Sequence, residues 1–399
     1  MNNRLIVTLG MILPLFLGFT FYAFYNDWIV VRIPLFPIQK TMPIQPTAVE
    51  KRAITFFIPS TPNFKQETSE IIWSTAPTEA IKTVTQTWLA LLDEEGFFEK
   101  KVTLQSVAEE GDTRHFYLSF DRPPFSGEST TAAKLLIIES LLATLRSTTE
   151  TIKTISFFCH HQPVEDYHLD FSRAWPIEGF LQNSHDFPDG KPQKIPNGYY
   201  TIMIDPAGDA RNTGRIIGET FERGITLQFA EHLKELLEHE FPNIRIILTR
   251  FPGEKIEPLQ NANFVNRLGA QLYVSLNFAA AERGVPHCAI YYFLYNQQIP
   301  SLNPHLLSWH PYQEAYINEL PRSRTFAQIV RNKLLEYQRQ GLFQIPEIRG
   351  IPFKPLIGIR SPSIACEIGL HSQDDWALYV KPVAAGLAHV VRYAQGLIS

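Results

Sequence analysis

The sequence predicts an α/β chain: a largely parallel sheet flanked by helices in the carboxyl-terminal half, preceded by a small α+β module and an amino-terminal transmembrane helix. Three observations carry this prediction. From Tyr200 onward, short apolar runs alternate with stretches of helical spacing, the rhythm of strands joined by crossover helices. Residues 53–176 carry a shorter set of elements, separated from that rhythm by a bridge at 177–198 that contains Asp186, Pro188, Gly190 and Pro192. Leu5–Tyr25 is an uncharged apolar run, and at about 1.5 Å per residue it reaches roughly 30 Å, the depth of a bilayer core.

Residues 1–28 therefore read as a cytoplasmic tip and membrane anchor. The competing reading, a cleaved signal peptide, needs small residues at a cleavage site, yet Phe21 and Tyr22 stand before Ala23. Pro14 only kinks the helix. Arg4 precedes the run and Asp27 follows it, which points the amino terminus to the cytoplasm. The expected location is the cytoplasmic (inner) membrane, single-pass, with the bulk of the chain on the extracytoplasmic or periplasmic side. Residues 29–52 carry Pro34, Pro37, Pro43 and Pro46 and read as a semi-rigid linker.

Charge and cysteine content narrow the function classes. The 36 basic and 40 acidic residues give a net charge of -4, so nucleic acid is not an expected partner. Cys159, Cys288 and Cys366 are too few for a disulfide framework or a zinc ribbon. Cys288 and Cys366 lie in apolar runs and read as small buried hydrophobes.

In the first module, Ala53–Pro59 reads as a strand, and Glu79–Leu92 has helical apolar spacing through Ile81, Val84, Trp88 and Leu92. A strand at His115–Phe120, a helix at Thr130–Leu145 and a strand at Thr154–Cys159 follow. The segments HFYLSFDRPPF (His115–Phe125), KLLIIESLLATL (Lys134–Leu145) and IKTISFFCHHQPV (Ile152–Val164) give residues 53–176 a resemblance to the GerMN domain. That resemblance implies a non-catalytic recognition or assembly module at the cell envelope. Cys159, His160 and His161 do not make a metal site, because strand alternation sends adjacent side chains to opposite faces.

In residues 199–399 the expected elements are a strand at Tyr200–Ile204, a helix at Glu219–Glu240 with one apolar stripe, and a strand at Ile244–Leu248. A short helix at Leu259–Leu268 and strands at Gln271–Leu276 and Ala289–Leu294 come next. A helix at Arg324–Arg339, strands at Leu356–Ile359 and Ser363–Glu367, and a helix at Asp374–Ala394 complete the set. The turn from Asp205 to Gly218 leaves the carboxyl end of a buried strand, where open α/β sheets place their sites.

Five segments in order, IDPAGDA (Ile204–Ala210), FERGITL (Phe221–Leu227), ILTR (Ile247–Arg250), NRLGAQLYVSLNFAA (Asn266–Ala280) and IRSPSIACEIGLHS (Ile359–Ser372), resemble the zinc-dependent N-acetylmuramoyl-L-alanine amidase family. The resemblance implies hydrolysis of the amide between the muramyl lactyl group and L-alanine of peptidoglycan. It also implies a zinc ion on His, Glu and His, with a Glu that activates the metal-bound water. Carried across, Glu222 matches the Glu ligand and Glu367 the catalytic carboxylate, but Gly208 and Asn277 occupy the two His positions. Zinc lowers the pKa of bound water from about 15.7 to about 7, worth roughly 12 kcal/mol toward hydroxide. One carboxylate cannot hold the ion that supplies this.

The resemblance thus leaves two readings and leaves enzymatic activity open. In the first, the domain binds peptidoglycan or wall-remodelling proteins without hydrolysis and no cofactor is expected. In the second, an active amidase has rebuilt its zinc or other metal site from Asp209, Glu222 and His287 or His371. Asp209 otherwise reads as a turn former, Glu222 as a first-turn acid, and the two histidines as exposed loop residues. Asn277 and Arg360 are candidate substrate-binding residues, and Arg360 is also the expected ion-pair partner of Glu367. Residues 296–322 form an insertion whose Trp309, Tyr312 and Tyr316 either stack on glycan rings or pack down on the domain.

Overall fold

The computed structural model of the protein describes residues 50–60, 63–111, 113–181, 190–192, 199–257, 259–281, 285–295 and 312–398, together with 18, 19 and 22. The rest of the expected anchor, the proline-rich linker up to residue 49, most of the bridge at 177–198, and Trp309 lie outside these residues. Among the described residues no helix is long and apolar enough to cross a membrane.

Residues 50–399 form one compact unit containing two main sheets. The unit opens with an antiparallel hairpin, β1 (Lys51–Ser60) and β2 (Asn63–Ile72), followed by helix α1 (Pro77–Glu94). Strands β3 (Leu104–Glu109), β4 (His115–Phe120) and β5 (Thr154–Cys159) form the first sheet, with the short strands β6 (Gln162–Pro163) and β7 (Trp175–Pro176) beside β5. Helix α2 (Thr131–Thr148) crosses from β4 to its parallel neighbour β5. The sequence predicts neither β2 nor β3, because NFKQETSEII and LQSVAE are too polar to carry a strand signal and form only by pairing with β1 and β4.

Helix α2 is buried on nearly all sides, including its polar residues Lys134, Glu139, Ser140 and Thr144. Each finds a partner, as buried polar groups must. The Trp88 indole of α1 donates to the Ser140 hydroxyl at 3.2 Å, and Thr144 accepts the Phe57 amide of β1 at 3.0 Å. Cys159 is half-buried, and His160 and His161 are exposed; the absence of a shared metal face is due to β5 ending at Cys159, with both histidines at positive φ in the turn that returns to β6, rather than to strand alternation.

The second sheet has six strands in the order β11–β8–β12–β15–β13–β14. These are β8 (Tyr200–Pro206), β11 (Ile244–Leu248), β12 (Leu272–Ala280), β13 (His287–Phe293), β14 (Arg349–Ile351) and β15 (Ser363–Leu370). β11, β8, β12 and β15 are parallel, and β12 and β15 are buried along almost their whole length, as central parallel strands are. β13 runs antiparallel to β15, so the sheet is mixed. The return from β12 to β13 spans residues 281–286, too short for a crossover helix. The predicted strand at Leu356–Ile359 does not form: Lys354–Leu356 is a 3-10 turn with Pro355 inside it, and the chain continues through a turn to β15.

Helices α3 (Glu222–Glu240) and α5 (Leu320–Gln338) pack against this sheet, and α6 (Ala377–Ala394) contacts both. A tiny hairpin, β9 (Ile216–Ile217) and β10 (Thr220–Phe221), leads into α3, and α4 (Gln260–Leu268) precedes β12. Of the insertion aromatics, Tyr316 stacks edge-on against Phe293 at 4.7 Å and Tyr312 donates to the Ile357 carbonyl at 2.9 Å, so both pack down. Cys288 and Cys366 are buried with sulfurs 3.3 Å apart.

The two modules meet along residues 166–174. The Asp170 amide donates to the Pro352 carbonyl at 2.9 Å, the Lys354 amide to the His168 carbonyl at 2.8 Å, and Tyr295 to the Ala174 carbonyl at 2.8 Å. This strip places first-module side chains over the carboxyl end of β15.

Candidate functional site

The turn after β8 is built by its own side chains. One Asp209 oxygen accepts the amides of Arg211 and Asn212 at 2.7 and 2.6 Å, and the other accepts that of Ile256 at 2.9 Å. Burial opposes its charge, but these three amides outweigh it and hold the carboxyl below its usual range. Asp209 is therefore the turn former of the first reading. The LTR segment serves the same turn: Arg250 donates to the carbonyls of Pro206, Ala207 and Arg223, while Thr249, Asn261 and Tyr273 all donate to Asp205.

Glu222 is the first residue of α3 and is wholly buried. It accepts the Arg215 amide at 3.1 Å and the Phe278 amide at 2.8 Å. Burial favours its neutral form, but the Arg215 guanidinium and the Arg215 amide prevail and hold its pKa at about 2. Glu367, in β15, is also wholly buried and lies between Asn277 of β12 and Ala289 of β13 in register. Its partner is Arg215, at 2.9 Å, rather than the expected Arg360. Arg360 is exposed before the first residue of β15, with its amide on Asn266, away from this cluster.

Arg215 is the centre of the arrangement. One terminal nitrogen donates to the Phe278 carbonyl at 3.1 Å and lies 3.9 Å from Glu222; the other reaches Glu367 at 2.9 Å and the Thr131 hydroxyl at 3.2 Å. Thr131, at the start of α2, gives Glu367 its backbone amide at 2.9 and 3.1 Å and its hydroxyl as well. Burial opposes the charge on Glu367 too, yet the Arg215 guanidinium and the Thr131 hydrogen bonds keep it ionised. A carboxylate held this way is a poor general base.

A second ion pair lies beside the first. Lys134 and Asp166 meet at 2.6 Å, both buried, and Asp166 also accepts the amides of His168 and Leu169. His168 Nε2 is 3.9 Å from Glu222, and its Nδ1 is buried without a hydrogen-bond partner. Burial and the Arg215 charge push the imidazole below its usual range, so it is neutral at pH 7.

The zinc ion implied by the sequence resemblance does not fit these residues. Gly208 has φ +80, and a Cβ there would stand 2.6 Å from the Arg223 Cβ, leaving no room for a ligating side chain. Asn277 is buried with its amide nitrogen on the Ser275 hydroxyl. The His287 ring packs over Gly369, and His371 is exposed past the end of β15. Among the described residues, no three His, Cys, Asp or Glu gather to hold a metal ion. We expect Gly208→His to lower the melting temperature without conferring zinc uptake, because left-handed strain and overlap cost about 1–3 kcal/mol or more; metal analysis and a thermal melt check this.

Sequence reasoning finds Glu222 and Glu367 but misses Arg215, Thr131, Lys134, Asp166 and His168. One signal was present: Lys134 and Glu139 interrupt an otherwise apolar helix, and charges on a buried face need partners.

Fold and site together define a mixed α/β domain whose two carboxylates converge at the carboxyl end of its sheet. Residues 202–385 match the Amidase_3 family model, described as N-acetylmuramoyl-L-alanine amidase. A stretch of 79 residues is 30% identical to N-acetylmuramoyl-L-alanine amidase CwlM of Bacillus licheniformis, covering 20% of this chain and 31% of that protein. This chain thus matches about a third of that relative's length. Among solved structures, the amidase AmiC2 of Nostoc punctiforme is 20% identical with a TM-score of 0.37, covering 50% of this chain and 98% of that one. The CwlD amidase of Clostridioides difficile, solved in complex with the GerS lipoprotein, is 16% identical with a TM-score of 0.37, covering 50% of this chain and 100% of that one.

Proposed function

We propose that this chain is a membrane-anchored cell-envelope protein whose amidase-like domain engages peptidoglycan or a wall-remodelling protein without hydrolysing it. The observation that carries this reading is the replacement of two ligand positions by Gly208, which has no space for a side chain, and Asn277. The site is degenerate on this reading, and no resident metal is expected. The GerMN-like first module supplies recognition or assembly, and the apolar run Leu5–Tyr25 anchors the chain so that both modules face the extracytoplasmic side.

The purified full chain should carry far less than one equivalent of zinc, release no stem peptides from purified wall, and be retained on insoluble peptidoglycan. Stoichiometric metal with stem-peptide release, abolished by Glu367→Ala, would establish the active amidase instead. Absence of metal, release and retention together would leave a protein partner as the target.

A further inference from the structure

We infer that Arg215 is the resident cation of this site and that the start of α2 is the occupant of its cleft, so that the centre now locks the two modules together. The inference rests on the non-hydrolytic reading above. Two wholly buried carboxylates cannot both stay ionised without a cation between them. Here that cation is a guanidinium, which is always charged and presents several donors in a fixed fork. It divides that fork between Glu222, Glu367, the Phe278 carbonyl and Thr131.

The lock is assembled from both modules. Thr131, Lys134, Asp166 and His168 come from the first, and Arg215, Glu222 and Glu367 from the second. All seven are buried. Just outside, Glu128 accepts the Ile216 amide at 2.6 Å, fixing β9 beside Arg215. Thr131 and Arg215 occupy Glu367, which is wholly buried, so no substrate group reaches that carboxylate while α2 is seated. Cavities of about 160 Å³ beside Trp73 and about 700 Å³ between α3 and α6 include neither Glu222 nor Glu367 in their walls.

The test is hydrogen exchange and thermal melting of the full chain. Arg215→Met should lower the melting temperature by roughly 5 °C or more and speed exchange of the amides at 131–135, across the module boundary, about tenfold or more. Adding Glu367→Gln to Arg215→Met should recover part of the loss, because it removes one of the two stranded charges. Thr131→Val replaces the hydroxyl with a methyl of similar size and decides the matter if Arg215→Met does not fold; it should speed the same amides a few-fold. Chelator should leave the wild-type melt unchanged. Exchange at 131–135 within twofold of wild type in every folded variant, or a melt lowered by chelator, overturns the lock. Stem-peptide release with exchange still coupled to Arg215 would refute the non-hydrolytic reading alone. Uncoupled exchange without release would refute the lock alone.

Discussion

Lys134→Met lowers the stability of the compact unit by about 3–5 kcal/mol, the expected cost of stranding one partner of a buried ion pair. Methionine matches the stem of lysine and fills its space, so the loss isolates the charge rather than a cavity. What is left behind is Asp166, buried and without its cation. Lys134 is what holds the Asp166 carboxyl low against burial, while burial in turn pulls the Lys134 ammonium below its usual range. Asp166→Asn on the Lys134→Met background should recover most of the loss, because an amide oxygen can still accept the His168 and Leu169 amides without carrying a charge. Chemical denaturation of the four proteins measures the coupling directly. Additive losses would show that the pair contributes no coupling.

The legibility of the chain in its sequence follows how local each signal is. The strand at Tyr200, helix α3 and the buried strand carrying Glu367 announce themselves because their apolar spacing is continuous. β2 is polar and exists through its partner, so nothing in NFKQETSEII specifies it alone. The two carboxylates are readable because they stand in recognisable segments. Arg215 is not, since its role depends on Glu367, 152 positions away, and on Thr131 from another module. Arg360 is the mirror case: it is close to Glu367 in sequence, yet β15 carries the two apart. A buried ion pair is a long-range object, and sequence proximity is a poor guide to it.

Two glutamates shifted in opposite directions contribute opposite pH dependences to stability. Glu222 titrates at about 2 in the folded chain against an ordinary 4.5. Its contribution is complete above 4.5 and is lost as the pH falls through 2, because the unfolded chain takes the proton first. Glu139 is the converse. Burial in α2 lifts it to about 7, against the Phe180 and Leu181 amides and Arg146, which pull it down. Its contribution is complete below 4.5 and is lost as the pH rises through 7, because the unfolded chain ionises first. Each shift is worth about 3 kcal/mol at about 1.36 kcal/mol per unit. His168 works against Glu139 between these limits: its lowered value costs stability as the pH falls below 6.5. The difference between wild type and Glu139→Gln separates the two. Glu139→Gln should gain on the wild type steadily from pH 5 to 7.5 and show no relative change below 4. Glu222→Gln should be less stable throughout neutral pH and flatter between 4.5 and 2. Denaturant midpoints for the three proteins across pH 2–8 measure this, and a wild-type to Glu139→Gln difference that stays constant from 5 to 7.5 would mean that Glu139 is already ionised where it lies buried.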